Sequence, residues 1–504
     1  MRQEDAPGGI AGRSRLTGAK LTANGEPFGK QAGPAVFVSN TPDASVLQDE
    51  VIGFLSRPGS YGLFDGAVER VETHCSMVFL TTDRAYKLKR AIRYASLDYT
   101  TRASREAACR AELVLNRRTA PDLYLHVQII GRAADGALTF DETEQPLDYV
   151  VVMRRFNQAD LFDQMLEADR LTVELMRELG QAIGRFHMTA ARMPNFGGRT
   201  GIARVIQDNA RELTRIGLVL DGGAVDTLAE RTRATLDDVA ALLEARRQHG
   251  GVRRCHGDLR LANICLFSGQ PTLFDCIEFS EEIGCIDVLY DLAFLLMDLE
   301  LRGRGDLGNI VFNSYLDIVG ETDGLRVLPL FLALRAATRS YALAGSAARQ
   351  SDPALAALKL ASARQHLVAS AAFLRPVAPC LVLIGGEDSQ SRLALAMALA
   401  GWLPPAPGAR LLRLAGSAEP WGAAAGLLSA GCSVIMEGMF DRNAEQHACA
   451  SVATGSQVPP HGIWLGPLPE HLDRRLWRPI DPTPDPLAAS ALAAPLLAEI
   501  TGQA

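Results

Sequence analysis

The chain has 504 residues, too many for one ordinary core, and at roughly 100 to 200 residues per domain it should fold as two or three units. Lysine and arginine total 51 against 58 aspartate and glutamate, a formal net charge of −7, which excludes the strongly basic face that nucleic-acid binding draws on. Nine scattered cysteines without a C-x-x-C pair, no secretory leader, and no uncharged apolar run of the roughly 18 to 20 residues a membrane helix needs point to reduced thiols, a cytoplasmic location and no membrane partner.

Residues 1 to about 35 are rich in Gly, Ala, Arg and Lys without an apolar period and read as a disordered tail. A larger unit then runs over 36–375. In "SMVFLTTDRAYKLKRAI" two β-type runs meet at Thr82, Asp83 and Arg84, and the period of two sets Lys87 and Lys89 on one face of the second strand. "REAACRAELVLNRRTAP" reads as a helix stopped before Pro121, with Glu112 in its middle. "LYLHVQII" and "LDYVVVMRRF" form a further strand pair, after which "RLTVELMRELGQAIGRFHMTA" turns helical, with Met176, Leu179, Ile183 and Phe186 at helical spacing and His187 as a packed core histidine. Helices dominate from Val288 to about Phe373. Strands followed by helices predict an α+β unit of two lobes, at about 36–155 and 156–375.

Pro376 and Pro379 open a second unit over 376–504. "CLVLIGG", "CSVIMEGMF" and "HGIWLG" read as strands and "SRLALAMALAGWL" as a helix, the alternation of a small α/β domain with a parallel sheet.

The chemistry concentrates in "RRCHGDLRLANICLFSGQPTLFDCIEF", Arg253 to Phe279. "ICLF" and "PTLF" are short strands joined at Ser268, Gly269 and Gln270, a turn that folds the chain back and brings Asn263 and Asp275 to one end. An Asn carbonyl beside an Asp carboxylate makes a hard oxygen site of the kind Mg²⁺ takes, with nucleotide phosphates and waters completing the octahedron. Asp258 is then left to accept a proton from an attacking hydroxyl, and the lysines upstream supply a cation for the phosphates: the parts that phosphoryl transfer needs.

With H-G-D-x-x-x-x-N at His256 to Asn263 and Asp275 in "LFDCIEF", the chain resembles the aminoglycoside phosphotransferase and choline kinase group, whose fold is protein-kinase-like. "ETHCSMVFLTTDRAYKLKR", "AELVLNRRTAPDLYL", "VVVMRRF" and "IDVLYDLAFLLMDL" extend the resemblance to a bacterial two-domain subfamily. It implies ATP and Mg²⁺ as cofactors, a small-molecule hydroxyl as acceptor, Asp258 as catalytic base and Asn263 and Asp275 as metal ligands. It also implies a phosphate-binding lysine at Lys87 or Lys89 with Glu112 as its helix partner, and Met153 on the nucleotide side. "ETHCSM" stands where a glycine-rich loop would be, so backbone amides and the Ser76 hydroxyl would touch phosphate there. Nothing in the residues specifies a protein partner.

The related two-domain proteins carry a G-x-x-x-x-G-K-S/T loop where this chain has "GGEDSQSRLALAMALA". Here the second glycine is Ser391, the lysine Arg392 and the hydroxyl residue Leu393, while Glu387 and Asp388 add negative charge. Each change opposes phosphate binding, so the second unit reads as a degenerate P-loop domain that keeps Glu437 as one acidic residue.

His256 reads as an orienting residue. Glu278 has two open readings, an extra metal ligand or a solvated residue near the cleft. Asp287, Asp291 and Asp298 share a helix stripe that serves either as a face for a cationic substrate or a metal or, with more weight, for structural pairing. Arg335 and Arg339 read as ion-pair formers. The alternative to a phosphotransferase is a non-catalytic nucleotide-binding regulator or scaffold, favoured by the altered second loop and opposed by the intact Asp258, Asn263 and Asp275.

Overall fold

The computed structural model describes residues 42–502 apart from 64–66, 74, 95–96, 142–144, 217–221, 415–418 and 441; the expected tail over 1–35 lies outside the described residues. The N-terminal lobe is built on a six-stranded antiparallel sheet. Its strand order is Glu69–Glu72, Ser76–Leu80, Arg84–Lys89, Pro146–Arg154, Tyr124–Arg132, Leu138–Thr139. Side-chain alternation divides the lysine strand cleanly. Leu88 faces the helix Pro42–Leu55, where it packs with Val51, Phe54 and Leu55. Ala85, Lys87 and Lys89 face the helix Arg102–Asn116, which Thr101 caps by accepting from the Ser104 amide. That second helix carries Glu112, so the predicted pairing of a strand cation with a helix carboxylate follows from the register.

The helical lobe buries the stripe Met176, Leu179, Ile183 and Phe186 of the helix Val173–Thr189. Gly180 and Gly184 let this helix lie directly on Gly305–Val319: a β-carbon on Gly180 would stand 2.5 Å from the Val311 carbonyl oxygen. Among the described residues one segment, Gly324–Ala347, is apolar and long enough to cross a membrane by length and composition, but 78% of its apolar window is buried inside the protein.

The C-terminal unit is a five-stranded sheet in which every neighbour is parallel, as expected. Its order is Arg410–Arg413, Val434–Glu437, Leu381–Gly386, Pro460–Leu465, Trp477–Ile480. The sequence gives no sign of how closely this unit joins the helical lobe. Leu299, Leu307 and Val311 share one apolar core with Leu381, Leu383, Met436 and Trp464. Asn309 Nδ2 also donates to the carbonyls of Pro407 at 3.1 Å and Ala409 at 2.9 Å. All nine cysteines are buried.

Candidate active site

The hairpin sets the geometry. Ser268 and Gly269 take φ of 51° and 79°, the left-handed pair a two-residue turn requires, and Ile264–Phe267 pairs antiparallel with Gln270–Leu273. The Phe274 amide donates to the Asn263 carbonyl at 3.0 Å, so Asn263 and Asp275 flank one end as the sequence reading expects. Asp275 sits at φ 61°, a conformation Asp tolerates better than most residues and one that functional sites retain.

Across the cleft Lys87 Nζ donates to Glu112 Oε1 at 2.6 Å and to Asp275 Oδ1 at 2.5 Å. Lys89 Nζ, on the same face, donates to Glu112 Oε2 and to Glu278 Oε1. The two lysines therefore share one glutamate but differ in their second partner. Lys87 reaches the proposed metal aspartate, whose side chain is 20% exposed. Lys89 is 1% exposed; burial alone would lower its pKa, but the charges of Glu112 and Glu278 outweigh that and hold it well above the ordinary lysine value. Glu278 also accepts from the Tyr99 hydroxyl at 2.7 Å. The solvated reading of Glu278 does not hold, because its side chain is fully enclosed with Lys89 and Tyr99. Ser76 is buried opposite Lys89, and Met153 is buried opposite Ala85.

Asp258 is held by its own loop. Asn263 Nδ2 donates to the Asp258 backbone carbonyl and to Oδ2, both at 2.8 Å, which leaves Asn263 Oδ1 as its ligand atom. That oxygen and the Asp275 carboxylate form a hard donor set that fits Mg²⁺. His256 bonds the Phe274 carbonyl through Nε2 at 2.9 Å and takes the Asp258 amide on Nδ1 at 3.3 Å. Burial lowers its pKa, and the neutral Nε2-protonated form satisfies both bonds, so His256 orients the loop as expected.

The sequence reading missed the anchor of this loop. Asp291 accepts the amides of His256 and Gly257, each at 2.9 Å, and a bond from His187 Nε2 at 3.2 Å. Burial would raise its pKa, but the hydrogen bond and charge of His187 and the charge of Arg335 bring it down to about 2. Asp287 is held by Arg246 through two bonds of 2.8 Å. Asp298 accepts from the Leu261 amide at 3.2 Å and from Arg302 Nε at 2.9 Å. The aspartate stripe thus serves structural pairing. His187, Cys255 and Asp291 lie close enough to hold a metal ion, yet each already has a protein partner, and burial keeps the Cys255 thiol well above its usual pKa.

In the C-terminal unit Arg392, at the lysine position of the altered loop, is buried and donates to Glu437 Oε1 at 2.7 Å and to the Glu387 carbonyl at 3.1 Å. Arg413 Nε takes the other Glu437 oxygen at 3.0 Å. The amides of Gln390 and Ser391, which open the helix Ser389–Ala400, donate to the Asp388 carboxylate at 3.1 Å. Cation and amides are both supplied with carboxylates from the chain itself.

A two-lobed α+β domain, with a lysine and a glutamate facing a loop and hairpin end that carry Asp258, Asn263 and Asp275, defines a protein-kinase-like phosphotransferase architecture. Residues 76–328, half of the chain, match the model of the phosphotransferase enzyme family, and the chain belongs to that family. Uncharacterized proteins of Mycobacterium tuberculosis (strain ATCC 25618 / H37Rv) and Mycobacterium bovis are 29% identical to it over 333 residues. The matched region covers 65% of this chain and 64% of each relative's length. Among solved structures, a choline/ethanolamine kinase family protein from Mesorhizobium loti aligns with 64% of this chain and 99% of its own at 16% identity and a TM-score of 0.39. A choline kinase from Cryptosporidium parvum Iowa II aligns with 65% and 95% at 9% identity and 0.40.

Proposed function

We propose that this protein transfers the γ-phosphate of ATP, with Mg²⁺, to a hydroxyl of a small molecule, and that its C-terminal unit is catalytically inactive. The observation that carries the reading is the convergence of Lys87 on both Glu112 and Asp275 while Asn263 holds the Asp258 carboxylate. Five groups from both lobes meet in the arrangement that phosphoryl transfer uses, where positioning and charge stabilisation supply nearly all the catalysis. Lys87 is the lysine for the phosphates, since it alone of the pair reaches Asp275.

Asp258 accepts the acceptor's proton as the hydroxyl oxygen bonds to the γ-phosphorus and the bond from that phosphorus to the β–γ bridging oxygen breaks, releasing ADP. Asn263 fixes the carboxylate during this step, and Asp291 holds the loop that carries it. Asn263 and Asp275 would hold Mg²⁺, which would supply the positive charge that offsets the phosphates. In the C-terminal unit a nucleotide would have to displace Glu437 from Arg392 and Asp388 from the helix amides.

The test is phosphate release from γ-labelled ATP by the full chain, with water or added polyols as acceptor. Mg²⁺-dependent release is expected, falling about 10³-fold in Asp258→Ala with ATP affinity retained. A wild-type protein that neither binds ATP nor releases phosphate with Mg²⁺ present would leave the regulator or scaffold reading in its place.

A further inference from the structure

Arg335, on the helix Leu328–Ala347, is the largest fully buried side chain among the described residues. A guanidinium enclosed in this way has to find its partners within the core. Nε donates to the Tyr290 carbonyl at 3.0 Å and Nη1 to the Gly257 carbonyl at 3.4 Å. Nη2 stands 3.9 Å from Asp291 Oδ1 and makes no hydrogen bond. The guanidinium lies 3.8 Å from the centroid of the Tyr290 ring and 4.8 Å from that of Phe294, and both aromatic faces attract a cation. The ion pair expected from the sequence is therefore a long one, and the hydrogen bonds of Arg335 go to the backbone.

One of those carbonyls belongs to the residue before the proposed base. The Gly257 amide donates to Asp291 Oδ1 at 2.9 Å. The next peptide, which joins Gly257 to Asp258, is held at both ends: its carbonyl accepts from Arg335, and its amide donates to His256 Nδ1 at 3.3 Å. Gly257 takes φ 85°, and a β-carbon there would stand 2.9 Å from Ile277 Cγ1 and 3.1 Å from the Ile283 carbonyl oxygen. This position has to be glycine, so the turn has no side chain of its own to fix it. Two successive peptides are set instead from two helices, one through its amide by Asp291 and one through its carbonyl by Arg335. The plane of the second peptide directs the Asp258 side chain away from the backbone, while Asn263 holds the far end at Oδ2. The unmet Nη2 donor opposes folding, a cost that a site of this kind retains.

We propose that Arg335 is a positioning residue for phosphoryl transfer, fixing through the Gly257 carbonyl the peptide from which the base Asp258 projects. This assignment rests on the phosphotransferase reading and adds a residue which that reading does not use. Its rings and its two carbonyl bonds hold the guanidinium in one plane, and a planar fork serves two carbonyls at once where a lysine ammonium, a point charge on a flexible stem, would not.

The test is steady-state phosphate release from ATP with Mg²⁺ by the full chain as wild type, Arg335→Met and Arg335→Lys, with ATP affinity measured by calorimetry on each. Arg335→Met is expected to lower kcat about 10²-fold, the cost of a small misplacement of a reacting group, while KM and affinity for ATP stay unchanged. Arg335→Lys keeps a charge beside Asp291 and should recover part of that kcat. Should Arg335→Met fail to fold, the lysine variant decides alone: a lowered kcat at unchanged KM supports the assignment, and a wild-type kcat overturns it. An unchanged kcat in Arg335→Met, a fall in kcat matched by lost ATP affinity, or a lysine variant no more active than the methionine one would each overturn it as well. A wild-type protein that neither binds ATP nor releases phosphate sinks the phosphotransferase reading and this assignment with it, whereas a working wild type beside unimpaired variants sinks the assignment alone.

Discussion

The two phosphate-type sites of this chain are both buried and both paired, yet they differ in what a ligand would have to displace. In the N-terminal site Lys87 is shared between Glu112 and the cleft-facing Asp275, whose side chain is 20% exposed; in the proposed function a metal ion taking Asp275 would release the lysine toward phosphate. In the C-terminal site Arg392 is closed by Glu437, whose side chain is 2% exposed and which Arg413 also holds, while Asp388 occupies the helix amides. Burial and ion pairing therefore do not by themselves mark a working phosphate site. The mark is a cation whose counter-charge another ligand can take over.

Substitutions at the two cations give the largest contrast. Lys87→Ala should cost about 10² to 10³ in phosphate release, the loss typical of removing one charge-stabilising donor, measured at saturating Mg²⁺ and ATP. Equal loss in Arg392→Met would erase the distinction between the sites.

The enclosed cluster behind Lys87 sharpens the comparison through stability. Glu278→Leu leaves Lys89 with Glu112 alone in a fully buried setting and should destabilise the fold by about 3 kcal/mol, read from the denaturant midpoint. A neutral result would show that the Lys89–Glu278 pair contributes nothing to stability.

A smaller effect concerns acid. The depressed pKa of Asp291, about 2 against an ordinary 3.8, gives stability that is fully present above about pH 4 and is lost as pH falls toward 2. The gain is about 2 kcal/mol at neutral pH. The wild-type protein should lose that increment between pH 4 and 2, and Asp291→Asn should lack this part of the acid dependence; parallel curves would contradict the anchoring role.

Much of this was legible in the sequence because it rests on short-range rules. Period-two alternation set Lys87 and Lys89 on one face, Ser268-Gly269 signalled the hairpin, and the strand and helix alternation after Pro379 gave the parallel sheet. What the sequence could not separate was Lys87 from Lys89, since both occupy the same face and the deciding partners, Asp275 and Glu278, lie about 190 residues away. Asp291 was visible only as one of a stripe, because the amides it holds come from a loop 34 and 35 residues earlier. The core shared by Val311 and Leu381 left no local trace, as both strand and helix carry apolar patterns that fit a domain folded alone.

The most direct measurement is calorimetric titration of ATP into the full chain with and without Mg²⁺, compared across wild type, Asp275→Ala and Arg392→Met. One Mg²⁺-dependent site per chain, losing its metal dependence in Asp275→Ala and unchanged in Arg392→Met, is the result this account predicts. Two sites per chain, or binding that survives Asp275→Ala unaltered and disappears in Arg392→Met, would contradict it.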